Sequence, residues 1–137
     1  MDLARIACLL AANDTALAAV AWLILLCTYP DFRCWRSEDF RAHHARYTGR
    51  VAWVVAPLMC LQLVGHGHAA ASGAGWVGLA LCLACWLLTF FWSVPLHRRL
   101  QEVGADADVI RRLTWSHLPR TVLWTVLALW SLRRAVG

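Results

Sequence analysis

Three histidines, His44, His97 and His117, stand at the same end of three separate apolar segments, and they are the side chains best suited to proton chemistry. An imidazole changes charge near neutral pH, so it can act as general acid or base. Their neighbours sharpen the reading. Phe40, His44, Tyr47 and Arg50 follow spacings of four, three and three, and Leu113, His117, Arg120 and Trp124 follow a similar step. Such spacings put side chains on one helix face. In this arrangement His117 or His44 would be the general base, with Tyr47 beside it. Arg120 or Arg50 would stabilise a phenolate or enolate as it forms. Trp115 and Trp124 would stack on aromatic rings, and His97, just after Pro95, would complete the binding surface. The plainer explanation is that His, Tyr, Trp and Arg all suit the headgroup zone of a bilayer. Arg120 fits it least, since it lies about 12 Å into its helix at about 1.5 Å per residue.

Asp14 is the second polar signal. It sits well inside the first apolar segment, flanked by Asn13 and Thr15. An intramembrane carboxylate is costly and normally faces inward toward a partner. Ala11, Ala18 and Ala21 share its side and would let a neighbouring helix approach closely. Depth counted along the helices makes Arg120 its expected partner, in a structural ion pair between the first and fourth helices.

Other groups carry less. Cys82 and Cys85 have redox-like spacing, but an apolar segment disfavours thiolates, and both read as packing residues. His66 and His68 supply two ligands only, which makes a weak metal site, and no metal site is assigned. Carboxylates near the histidines are limited to Asp31, Glu38 and Asp39, which argues against a carboxylate-rich di-iron site. The sequence contains no phosphate-binding loop and no Ser nucleophile elbow.

The elements that must position these residues are long apolar helices. Of 137 residues, 61% are hydrophobic. That share lies above the one usual for soluble domains. Four stretches are long enough to span a bilayer: about 4–28, 48–64, 75–94 and 113–132. The runs do not alternate, which excludes a β-barrel. The expected fold is therefore all-α: one domain, an integral membrane four-helix bundle of up-down topology. The N-terminal stretch reads as a retained helix and not a cleaved signal, because Asp2 opposes Arg5 and Asn13-Asp14 interrupts the apolar run. Tyr29-Pro30 and Pro95 should stop the first and third helices, and Pro57 and Pro119 should kink the second and fourth. Ser37 should cap the second helix, and Asp106 or Asp108 the fourth.

The net charge is +5, and the basic residues are all Arg. They concentrate in the segments 31–47 and 97–112, while the Gly-rich middle connection has none. That pattern expresses orientation by the positive-inside rule and not nucleic-acid binding. It places both termini outside and the histidines near the cytoplasmic face. The expected location is a bacterial cytoplasmic (inner) membrane.

Several short motifs look familiar together. YPDF at 29–32, FRAHHARYTGR at 40–50, VAPLM at 55–59, VPLHRRL at 94–100 and LTWSHLPRTVLWT at 113–125 resemble those of small four-span bacterial membrane proteins. The layout is similar to that of the anthrone-oxygenase-like membrane family, over nearly the whole chain. The polar positions that match are His44, Tyr47, Arg50, His97, Trp115, His117 and Arg120. Characterised relatives oxidise aromatic polyketide anthrones with dioxygen, so the resemblance implies a lipophilic aromatic substrate. The leading expectation is a protein that binds or oxidises an apolar aromatic, quinone-like molecule in a polar pocket near the cytoplasmic side. The alternatives are a non-catalytic membrane subunit, and a haem or metal-binding protein using two of the three histidines. No cofactor is favoured. Expected partners are the lipid bilayer and a lipophilic small molecule, with a homo-oligomer or membrane complex also open.

Overall fold

The computed structural model describes residues 3–73 and 75–136, and all regular structure among them is helical. Four rods follow in order. The first, α1 (residues 3–31), is an α-helix over Leu3–Leu23, a wide π-helical turn over Ile24–Thr28 and a short helical end over Tyr29–Asp31. The second, α2, is one helix over Phe40–Ala71. The third, α3 (Trp76–Val103), repeats the pattern of α1, with a π-helical turn over Thr89–Ser93 between Trp76–Leu88 and Val94–Val103. The fourth, α4, covers Ala107–Val136.

The first helix passes Pro30 by one residue only and ends at Asp31, close to the expected stop, whereas Pro95, contrary to expectation, does not end the third, which runs on to Val103. A proline ring clashes with the carbonyl four residues back and offers no N–H. Each proline follows a π turn, where the ladder steps by five: Tyr29 N–H donates to Ile24 O, and Val94 N–H donates to Thr89 O. Widening the helix there moves the obstructing carbonyl aside, and the helix continues. Pro57 and Pro119 lie within helices that run on through them.

The helix ends differ in part from expectation. α2 starts at Phe40 after Asp39, not at a Ser37 cap. The fourth helix is capped as expected, with Asp106 Oδ1 accepting the Asp108 and Val109 N–H groups at 2.9 Å. Gly104 closes α3 with φ of 87°, a conformation that suits a residue lacking Cβ. α2 runs to Ala71, so His66 and His68 lie on the helix and not in a loop. Gly65 permits a close approach of α1 to this part of α2, since a Cβ there would stand 2.7 Å from Leu10 Cδ1.

The rods form a ring in which each packs on its two neighbours, α1 and α4 most closely. Cross-contacts give the directions. Asp14 meets Ser131 while Ala21 meets His117, and His66 lies against Gly78 while His44 meets His97. Neighbours thus run antiparallel. Ala11, Ala18 and Ala21 are buried on α1, as the small-residue face predicts. Cys82 and Cys85 are fully buried between helices. A second cluster of Tyr29, Phe32, Phe40, Leu100, Ile110 and Leu113 closes the basic end.

Three rods are long and apolar enough to cross a membrane: Arg5–Asp31, Phe40–Ala71 and Trp76–Val103. α4 has the length but carries Ser116, His117, Arg120, Thr121 and Ser131, all buried. Its polarity is turned inward, toward the other three.

Candidate functional site

A cavity of about 770 Å³ lies between the rods, at the level of the two π turns. Its walls are mainly apolar, with Leu17, Ile24, Val55 and Met59 among them. Its polar side chains come from all four rods. They include all three histidines read from the sequence, together with Tyr47, Arg120 and Trp124. Among the described residues, no Asp or Glu lines it.

The hydrogen bonds around His44 fix the proton positions. Gln101 Nε2 donates to the Arg41 carbonyl at 3.1 Å, so its Oε1 faces His44 Nδ1 at 3.0 Å as an acceptor. His44 must then carry its proton on Nδ1, because a neutral imidazole has one N–H. Its Nε2 accepts from His97 Nδ1 at 3.0 Å. His97 Nε2 is left to accept from the Tyr29 hydroxyl at 3.4 Å. One chain of donors runs from Tyr29 through His97 and His44 to Gln101. The His44 ring is stacked on Phe40, and Phe32 meets it edge-on. These aromatics belong to the α1–α2 connection and the first turn of α2, and they hold the imidazole from behind.

His117 and Arg120 form a second unit. His117 Nε2 faces the Ala21 carbonyl at 3.0 Å and must donate to it, which leaves Nδ1 to accept from Arg120 Nη2. Arg120 Nη1 donates to Thr89 Oγ1 at 3.0 Å, and Thr89 itself donates to the Cys85 carbonyl at 2.8 Å. The guanidinium also lies over Trp124, with Cζ 5.3 Å from the ring centre. At that range the cation is attracted to the face of the indole. Arg120 is only 7% exposed and has no carboxylate partner among the described residues. Its Nε–H has no partner, and neither do the buried Trp86 Nε1 and Ser93 Oγ, which line the same cavity. Both ring nitrogens of His117 are engaged, one by the Ala21 carbonyl on α1 and one by Arg120, so the imidazole holds the guanidinium in place.

The expected Asp14–Arg120 ion pair does not form. Asp14 is fully buried but lies at the other end of the core. It accepts from Gln62 Nε2 at 2.7 Å, from His66 Nε2 at 3.0 Å and from the Ser131 hydroxyl. Ser131 stands eleven residues from Arg120 on α4, roughly 16 Å along the axis. No side chain bridges that gap. Trp124 Nε1 donates to Gln62 Oε1 at 3.2 Å, so a polar thread joins the Asp14 junction to the cavity wall.

Two further expectations are corrected. Trp115 is 65% exposed and points away from the cavity, so it cannot stack on a ligand there. Arg50 is exposed and lies outside the lining. Both sit on the outer faces of their helices. In α2 the inward stripe runs through His44, Tyr47 and Val51, and Arg50 falls beside it. Sequence reasoning misses Tyr29, Gln62, Thr89, Ser93 and Gln101, whereas Trp86, which the sequence places deep in its span as a pocket-lining or core residue, does line the cavity. Gln62 and His66, four apart, offer a usable signal: two polar residues on one face of an apolar helix. Both ring nitrogens of each cavity histidine are engaged, and the described residues hold no group of three metal-ligating side chains.

No known protein family, curated protein or solved structure matches this chain.

Proposed function

We infer that this is a multi-pass membrane protein that takes a flat, apolar, oxygen-bearing aromatic molecule from the bilayer into the cavity and acts at its oxygen. The observation that carries the reading is a mainly apolar cavity lined by Arg120, a buried cation with no carboxylate partner among the described residues. A buried charge is normally paired, so the guanidinium calls for an anionic or carbonyl oxygen from a ligand. A quinone carbonyl or a phenolate oxygen supplies it, and the rings fill the apolar remainder. The cavity volume of about 770 Å³ suits a polycyclic molecule. It falls within the range of sites that enclose drug-sized ligands.

The surface supports residence in lipid. Trp53 is 85% exposed and Phe91 79%, and exposed aliphatics accompany them on every rod. Apolar surface of that extent calls for an apolar surrounding. The Arg-rich ends of α2 and α3 meet at one end of the molecule. By the positive-inside rule that end is the cytoplasmic one, and the resemblance to small bacterial four-span proteins is what supports reading the membrane as a bacterial inner membrane. The cavity reaches the flank between α2 and α3. There Ala45, Gly49, Ala52 and Ala56 face outward opposite Val94 and Arg98, and their small size leaves a lateral opening.

Likeness to anthrone-oxygenase-like proteins extends the reading to oxidation of such a ligand by dioxygen. The test is direct: the detergent-purified protein is given an anthrone, and oxygen consumption and the quinone product are followed. Turnover that disappears in Arg120→Gln supports the reading. Failure to bind any anthrone, naphthol or naphthoquinone overturns it.

A further inference from the structure

The hydrogen bonds of Tyr29, His97, His44 and Gln101 all point the same way, from the cavity to the Arg-rich end. Tyr29 is 2% exposed, while Gln101 and Arg41 at the far end are exposed. His44 is thus separated from water by one surface side chain. Each member can accept a proton on one atom as it passes one on from another. Tyr29 does so at its single oxygen and the imidazoles across their two nitrogens. Arg120 lines the same cavity, a buried cation without a carboxylate counterpart among the described residues.

We propose that Tyr29–His97–His44 is a proton relay, and that the ligand of the cavity carries an ionisable hydroxyl which it gives up on binding. This rests on the cavity reading above and names the substrate class more closely: phenols, naphthols or hydroxyquinones. The step balances without an oxidant. The ligand O–H bond breaks as its proton moves to Tyr29 Oη. The Tyr29 proton moves to His97 Nε2, and the His97 Nδ1 proton moves to His44 Nε2. The ligand becomes an oxyanion against Arg120, and His44 becomes an imidazolium whose Nδ1–H already faces Gln101 at the wet end. Other ionisable groups facing the relay are Tyr47 on α2, Arg98 on α3, and His117 and Arg120 on α4. None is a carboxylate, so none would hold the proton back inside the cavity.

The test uses the full chain in detergent at pH 7 with 2-naphthol, whose hydroxyl, like a tyrosine phenol, ordinarily ionises at a pH of about 10. Binding is read by quenching of tryptophan fluorescence, and ionisation by the longer-wavelength absorption of the naphtholate. 2-Methoxynaphthalene, which has no proton to give, is the control ligand. The expected result is a naphtholate band on binding to the native chain. That band should shrink at least tenfold in His97→Gln and in Tyr29→Phe, each still quenched by 2-methoxynaphthalene. Naphthol that binds but stays neutral would overturn the relay and leave the cavity reading standing. A naphtholate band of equal size in both variants would assign ionisation to Arg120 alone and also overturn the relay. If neither naphthalene binds the native chain, the cavity reading fails first.

Discussion

His117 presents Nδ1 to Arg120 as an acceptor because its other nitrogen is occupied by the Ala21 carbonyl at 3.0 Å. The imidazole is a bracket for the guanidinium, joined to α1 on one side and to the cavity on the other. His117→Leu should therefore weaken binding of acidic naphthols at least tenfold while changing binding of 2-methoxynaphthalene by less than threefold. Fluorescence titration of both ligands checks it. Equal losses for the two would show that His117 shapes the cavity and does not act through Arg120.

Asp14 and its partners hold α1, α2 and α4 together at the end away from the histidines. Asp14→Ala would leave His66, Gln62 and Ser131 buried without their common acceptor. Leaving a buried donor unsatisfied costs about 1–3 kcal/mol, and three donors lose their acceptor together here. A fall of that order in unfolding free energy, measured by denaturant titration in detergent, is expected. A loss under about 1 kcal/mol would mean that water replaces the carboxylate, as at an exposed site.

Because Asp14 and Arg120 stand far apart, their substitutions should act independently. The double variant Asp14→Asn with Arg120→Gln should lose the sum of the two single losses to within about 0.5 kcal/mol. A larger interaction energy in this cycle would mean that the thread through Gln62 and Trp124 couples the two ends.

Gly78 and Gly49 make opposite predictions. A Cβ at Gly78 would stand 2.5 Å from His66 Nδ1. Gly78→Ala should therefore destabilise by about 1–3 kcal/mol, the usual cost of overpacking. A Cβ at Gly49 meets nothing within 4 Å, so Gly49→Leu should fold normally. Its side chain would lie across the lateral opening, and naphthol should enter at least fivefold more slowly in a stopped-flow trace. Unchanged entry would move the portal elsewhere.

Trp115→Ala and Arg50→Gln should leave ligand affinity within twofold of the native chain, since both side chains face outward. Fluorescence titration with 2-naphthol reads the outcome. A tenfold loss in either would require the cavity to extend beyond its present walls.

The periodic residues are the legible part of this chain. His44, His97 and His117 share a cavity because each lies at one end of an apolar run, and run ends are easy to read. Four rods follow from the same runs. The burial of Asp14 is legible too, but its partner is not, because depth counted along a sequence depends on where each segment ends. α2 continues to Ala71 and carries His66 beside Gln62 and Asp14, a place that a helix ending at 64 denies it. Tyr29 is hidden by Pro30. A proline reads as a stop, and only the widened turn before it lets the helix carry Tyr29 into the core. Trp115 and Arg50 show the reverse error. Both lie close to functional residues in sequence, but a step of one residue on a helix turns a side chain by about 100°.

The same arithmetic makes the two π turns a matter of residue count and not of composition. Each turn holds one more residue than the α-helical ladder needs, and everything C-terminal to it is rotated accordingly. Tyr29 and His97 are the first functional side chains after those turns. Deleting one residue from Ile24–Thr28 or from Thr89–Ser93 would restore a regular spiral. It would swing Tyr29 or His97 by about 100° out of line with its partner. The rod would stay as greasy as before. Within those two short stretches the site tolerates exchange of one apolar residue for another far better than it tolerates loss of any of them.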